Sequence, residues 1–219
     1  MTAVRHVVYL HGFASSPDSS KASRFERELT ALGVGFSCPD LNLPAFETLT
    51  VSRMLGDVRR ALEAVTDGGP IAVVGSSLGG FVALHAAALV THPRVDRAIL
   101  LAPALDFGGN RLRQLGEHGI EQWRRDGHLR VMHDASNEYR DVGYALYEDA
   151  QQYDAFAIGR DRPILAYQGA RDEVVNPAMV TSWAADRANV DLHMLDDDHQ
   201  LTSSMDEIWD GSRRFLGLI

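Results

Sequence analysis

The chain has 219 residues, 45% of them hydrophobic and 23% charged, and a formal net charge of −9. That length suits one domain with a sizeable buried core, and no stretch approaches the roughly 20 unbroken apolar residues that span a bilayer. A negative balance without any basic block speaks against nucleic acid or an anionic membrane as partner, because both require a positive footprint.

The N-terminal MTAVRHVVYLHG has no small-residue cleavage pattern, so the chain is read as soluble and cytoplasmic. Cys38 is the only cysteine, which rules out an internal disulfide and a cysteine-based metal cluster. No metal or other cofactor is expected. Lys21 is the only lysine among 21 basic residues, and that bias is attributed to composition.

In chain order, VRHVVYL (4 to 10) is a β-branched run ended by the loop residues HGFASSPDSS. Residues 20 to 32 then place Ala22, Phe25, Leu29 and Leu32 at helical spacing, with Ser19 or Ser20 able to cap the start. The alternation repeats: strand 34 to 40, helix 51 to 65, strand 71 to 75, helix 78 to 90, strand 97 to 103. After a gap it resumes with strand 163 to 169, helix 177 to 188, strand 190 to 195 and helix 204 to 218. Short, nearly continuous apolar strands between helices are what a parallel sheet covered on both faces requires. The expected fold is α/β: an open, mainly parallel six-stranded sheet with helices on both faces, one domain over 1–219.

Residues 104–162 interrupt the alternation after the fourth strand and are expected to form a small cap-like insertion. It should hold helical pieces around Arg111 to Arg125, an alternating stretch LRVMH (129 to 133) and a turn at DASN. Its aromatics, Trp123, Tyr139, Tyr144, Tyr147 and Tyr153, are expected to pack the insertion against the core rather than line a pocket. Its arginines Arg111, Arg113, Arg124 and Arg125 show no spacing that singles them out for substrate binding.

The chemistry begins at IAVVGSSLGG (71 to 80). Gly75-Ser76-Ser77-Leu78-Gly79 matches GxSxG, a pattern that chance alone gives in about one chain in ten of this length. Its position between a strand and a helix gives it mechanical meaning: a sharp turn holds the middle serine out of the sheet, and flanking glycines keep the turn free of clashes. Only Ser77 lies midway between the glycines, with Ser76 left to support the turn. The lysine of a phosphate-binding loop and the GxGxxG of a dinucleotide site are both missing.

A serine hydroxyl needs a base, and the base needs an orienting group. These must come from loops at the carboxyl edge of the sheet. Asp172 follows strand PILAYQG, and His199 follows strand VDLHML; Ser77, Asp172, His199 is the chain order expected on such a sheet. Asp106 is the reserve acid, and Glu173 is expected to be solvated. The other histidines fall in strands, in helices or in the insertion, except His11, which is expected to buttress its loop. The run Asp196-Asp197-Asp198 is expected to form a solvated loop face that favours a protonated imidazole and disfavours anionic substrates. The backbone N–H groups of Leu78 and Phe13 are the candidate donors to a tetrahedral oxyanion.

Together these residues resemble the α/β-hydrolase superfamily. More narrowly, YLHGFASSPDSSKA (9 to 22), IAVVGSSLGG (71 to 80) and DDDHQ (196 to 200) resemble small bacterial YqiA-like esterases. The resemblance implies a serine hydrolase of small or short-chain carboxylic esters, with Ser77 as nucleophile, His199 as base then acid, and Asp172 orienting it. It implies a small-molecule ester as partner and no cofactor. The first strand begins almost at Met1, without the two leading antiparallel strands of larger members, so a reduced sheet is expected. Thioesterase, peptidase and perhydrolase chemistry could use the same three residues; a non-catalytic binding protein could keep the fold, a reading that the complete set Ser77, Asp172 and His199 argues against.

Overall fold

The computed structural model describes residues 2–90 and 92–219, with the side chains of 110–114 excepted. Arg111 and Arg113 therefore lie outside the described side chains. Six strands form one sheet in the order β2-β1-β3-β4-β7-β8, and every neighbouring pair is parallel. They are β1 (His6–Leu10), β2 (Gly35–Ser37), β3 (Ile71–Ser76), β4 (Val95–Leu101), β7 (Ile164–Gly169) and β8 (Val190–Leu195). Strands β3 and β7 are buried along their whole length, as strands covered on both faces must be. The edge strands β2 and β8 are only partly covered.

Two helices, α1 (Ser20–Ala31) and α7 (Met205–Phe215), pack on one face through Phe25, Leu29, Ile208 and Trp209. On the other face lie α2 (Val51–Glu63), α3 (Leu78–Leu89) and α6 (Pro177–Ala185). The sequence explains each choice. In α2, Val51, Met54, Leu55, Val58 and Leu62 form one apolar stripe, and Thr50 caps it by accepting from the Arg53 amide at 3.1 Å. Helix α3 is apolar almost all round and accordingly lies inside, with ten of its residues buried.

Residues 104–162 hold α4 (Phe107–Asp126), the antiparallel hairpin β5 (His128–His133) and β6 (Glu138–Gly143), and α5 (Ala145–Ala150). The expected helical pieces are present within 107–126 as two helices that meet at Gly116, whose φ of 66° and ψ of 172° break the helical path. The hairpin was only half visible in the sequence: LRVMH alternates, but its partner EYRDVG is largely polar, with only Val142 buried. Trp123 is buried in the main core, donates to the Val142 carbonyl at 3.1 Å and meets Tyr144 edge-on and Tyr147 at a tilt, so these aromatics pack the segment against the core. Asp149 on α5 accepts from both the amide and the hydroxyl of Ser52, tying the segment to α2. At the hairpin tip the Ala135 amide donates to the Ala14 carbonyl at 3.2 Å, in the loop after β1. Among the described residues no helix is long and apolar enough to cross a membrane.

Candidate active site

From β1 the chain crosses outward to the edge strand β2, and from β3 it crosses the other way to β4. The adjacent carboxyl ends of β1 and β3 are therefore a topological switch point, where connecting loops part and leave a crevice. Register places Leu10 beside Gly75, so the loop His11 to Ala14 and the turn at Ser77 emerge side by side.

At that turn Ser77 has φ 54° and ψ −118°, a conformation L-residues rarely adopt. Its amide donates to the Leu101 carbonyl at 2.9 Å, and its carbonyl accepts from Gly80 at 2.9 Å and Ala104 at 3.1 Å. Those bonds hold the strained residue in place. A Cβ on Gly75 would overlap the Gly79 carbonyl, and one on Gly79 would overlap the Leu10 carbonyl, so both glycines are dictated by backbone approach. Ser76, the last residue of β3, shares a strand face with Ala72 and Val74.

His199 Nε2 lies 3.0 Å from Ser77 Oγ, and its Nδ1 lies 2.8 Å from Asp172 Oδ2. Facing a carboxylate, Nδ1 carries the ring proton, which leaves Nε2 to accept the Ser77 hydroxyl. Asp172 Oδ1 accepts from the amides of Val174 and Val175, each at 2.8 Å, and Oδ2 also accepts from Gln168 Nε2 at 2.8 Å. Burial pushes this carboxyl up, but the bonds from His199, Val175 and Gln168 outweigh burial and hold its pKa below the ordinary value. The reserve acid Asp106 instead occupies the N-cap position of α4, and Glu173 is exposed. Gln168 was not anticipated; its signal was a polar side chain inside the fully buried run ILAYQG.

One expectation needs correcting. Asp196 and Asp198 are exposed, but Asp197 is buried and braces the loop that carries His199. It accepts from the Asp198 amide at 2.8 Å and the Ser204 amide at 2.9 Å. Burial raises its pKa, yet these bonds outweigh burial and hold it below the ordinary carboxylate value. A carboxyl depressed on folding contributes stability above its unfolded pKa and loses it as pH falls through the folded one. Asp197→Asn should therefore unfold about 1–3 kcal/mol more easily at pH 7, by denaturant titration. At pH below the native carboxyl pKa the gap to wild type should close.

A cavity of about 290 Å³ opens over Ser77 and His199. Leu78, the first residue of α3, and Phe13 both border it, and the amide of a first helical residue has no carbonyl one turn back to satisfy it. His11 is buried, with Nδ1 2.9 Å from the Gly12 carbonyl and Nε2 accepting from the Leu41 amide at 3.0 Å, so it braces the Phe13 loop as expected. The aromatic rings at the cavity are Phe13 and, from residues 104–162, Phe107; Trp123, Tyr139, Tyr144, Tyr147 and Tyr153 do not border it, and the hairpin contributes Asp134.

A second contact of the same three residue types shows what else a site requires. His6 Nδ1 lies 3.2 Å from Asp67 Oδ2, and its Nε2 lies 3.1 Å from Ser37 Oγ. Ser37 sits in the regular edge strand β2, and none of the three borders the Ser77 cavity. Without a strained turn, a following helix or a shared cavity, this group has nothing to hold a substrate. The double variant His6→Ala, Ser37→Ala is expected to leave any steady-state turnover at Ser77 within about twofold of wild type, as substitutions outside a site do.

Residues 6–213 match the profile of the family described as Uncharacterised protein family (UPF0227). The chain belongs to UPF0227. No curated protein sequence matches it. Among solved structures, this UPF0227 chain is similar to a chain from Agrobacterium vitis S4, with TM-score 0.84 and 24% identity over 98% of this chain and 91% of that one. Alpha/beta hydrolase domain-containing protein 10 from mouse superposes with TM-score 0.79 and 20% identity over 99% and 92% of the two chains. Est1E from Butyrivibrio proteoclasticus, solved with ferulic acid bound, gives 0.80 and 18% over 98% and 88%. The fold of this UPF0227 chain is that of the α/β-hydrolases.

Proposed function

We propose that the chain is a serine hydrolase of small or short-chain carboxylic esters that works through a Ser77 acyl-enzyme. The observation that carries this reading is the line Ser77–His199–Asp172, with contacts of 3.0 and 2.8 Å, standing on a strained turn at the floor of a cavity. Ser77 Oγ attacks the ester carbonyl carbon while His199 Nε2 takes the hydroxyl proton. The oxygen of the tetrahedral intermediate receives the amide N–H groups of Leu78 and Phe13, each donor contributing roughly 10²–10³ in rate. His199 then returns the proton to the departing alcohol. Water, deprotonated by the same nitrogen, attacks the acyl-enzyme and releases the acid, restoring Ser77. Asp172 keeps the imidazole in the required tautomer and stabilises its transient positive charge.

The cavity is at the small end of the usual range for ligand pockets, which supports a small substrate. Residues 104–162 act in this reading as a cap, since Phe107 and the hairpin residue Asp134 border the cavity. A fluorophosphonate probe should label Ser77, and p-nitrophenyl esters from acetate to dodecanoate should show turnover falling as the acyl chain outgrows the cavity. Unlabelled Ser77 overturns the reading, and faster turnover of a matched thioester replaces the ester with a thioester.

A further inference from the structure

One wall of the cavity has no part in the steps above. Ser15, Ser19, Ser20, Lys21 and Gln200 form it, while Leu78, Ala104, Phe107, Val174 and Val175 line the cavity with apolar surface. Lys21 Nζ donates to the Gln200 carbonyl at 2.8 Å and reaches Gln200 Oε1 at 3.4 Å. An ammonium has three N–H donors, so one is left for a further acceptor. Among the described residues, no hydrogen bond engages the hydroxyls of Ser15, Ser19 or Ser20. Four donor groups thus border a cavity without internal acceptors for all of their hydrogens.

The position of this wall fixes which half of the substrate it meets. Gln200 directly follows His199, and His199 is the group that protonates the departing alcohol. A lysine clamped to Gln200 is therefore on the leaving-group side, and the apolar wall remains for the acyl half. The acidic groups around it keep their charge, so what Lys21 offers an anion is a direct N–H contact at short range and not a positive field. Asp197 and Asp198 are committed to amides of their own loop, and Asp134 sits exposed at the rim, where water and salt screen it. Burial draws the Lys21 pKa down, while Asp198, Asp197 and Asp172 pull it back toward the charged form. The one ammonium in a chain otherwise built with arginine is thus placed at the candidate active site.

We infer that Lys21, with the hydroxyls of Ser15, Ser19 and Ser20, selects esters whose alcohol half carries an anionic group, a carboxylate or a phosphate. This inference rests on the ester-hydrolase reading and names its substrate class. It also reverses the expectation that the aspartate run turns anionic substrates away.

The test compares three butyrate esters of substituted phenols, bearing a para carboxylate, a para phosphate or a para carboxamide. The carboxylate and carboxamide are near-isosteric and differ in charge. Wild type should favour the carboxylate or the phosphate over the carboxamide by about tenfold in kcat/KM, in line with a hydrogen bond to a charged group, and the larger ratio identifies the anion. Lys21→Met should bring both ratios to about one through KM, with carboxamide turnover held within about threefold, and Lys21→Arg should keep part of the preference. A wild-type ratio of one or less, with all esters cleaved, overturns the anion inference alone. Equal losses on every ester in Lys21→Met also overturn it, making Lys21 a positioning residue for the His199 loop. Failure of all three esters together with unlabelled Ser77 overturns instead the hydrolase reading beneath it.

Discussion

Ser77→Ala is expected to lower kcat/KM for any ester the wild type cleaves by on the order of 10⁵, leaving only what the amide donors and the cavity contribute without a nucleophile. Fluorophosphonate labelling should disappear with it. The variant should still fold, because alanine keeps the Cβ and the backbone bonds from Ser77 to Leu101, Gly80 and Ala104. Those bonds and not the hydroxyl hold the turn at φ 54°. The strain remains in Ser77→Ala and is relieved in Ser77→Gly, since glycine enters that region without steric cost. Ser77→Gly should therefore be equally inactive yet more stable than Ser77→Ala by about 1–3 kcal/mol in denaturant titrations. Equal stabilities would mean the turn stores no strain, and activity above a hundredth of wild type in Ser77→Ala would remove Ser77 as nucleophile.

The parts of the molecule that sequence patterning reached are those where one physical demand dominates. Strands β3, β4 and β7 are covered on both faces, which leaves them mostly apolar and easy to see. Gly75 and Gly79 are forced by backbone approach, so the motif marks its own geometry. Strand β6 answered to a weaker demand: of its six residues only Val142 is buried, and its polar composition hid the hairpin. Asp197 shows the opposite failure. Three consecutive aspartates read as a solvated face, yet a loop turning back on itself offers unpaired amides, and the middle carboxylate is drawn inside to accept them. Lys21 was set aside as a matter of composition because it lies 179 positions from Gln200, and only the fold brings the two together.

Asp172→Asn is the sharper test of the line through His199, because it keeps shape and removes one property. Every bond at this carboxyl group is one it accepts: from Val174 and Val175 on Oδ1, and from Gln168 and His199 on Oδ2. An asparagine must place its NH2 on one side or the other. Turned toward His199 and Gln168, it meets the Gln168 donor and obliges His199 to accept at Nδ1. The ring proton then moves to Nε2, which can no longer take the Ser77 proton. Turned toward Val174 and Val175, it keeps the tautomer but sets three donors against each other in a buried place. The first arrangement clashes with fewer donors, so the wrong tautomer should prevail, and kcat/KM should fall by about 10⁴. Stability should fall as well, by about 1–3 kcal/mol at pH 7. That loss should shrink as pH drops through the depressed native pKa of Asp172, where the wild type also takes up a proton. The matching change Asp106→Asn, at the α4 N-cap, should leave turnover within a few fold, as a substitution outside the reacting line does. If Asp172→Asn kept a tenth of the activity while Asp106→Asn lost it, the orienting acid would be Asp106, and His199 would have to swing away from the carboxylate it now faces at 2.8 Å.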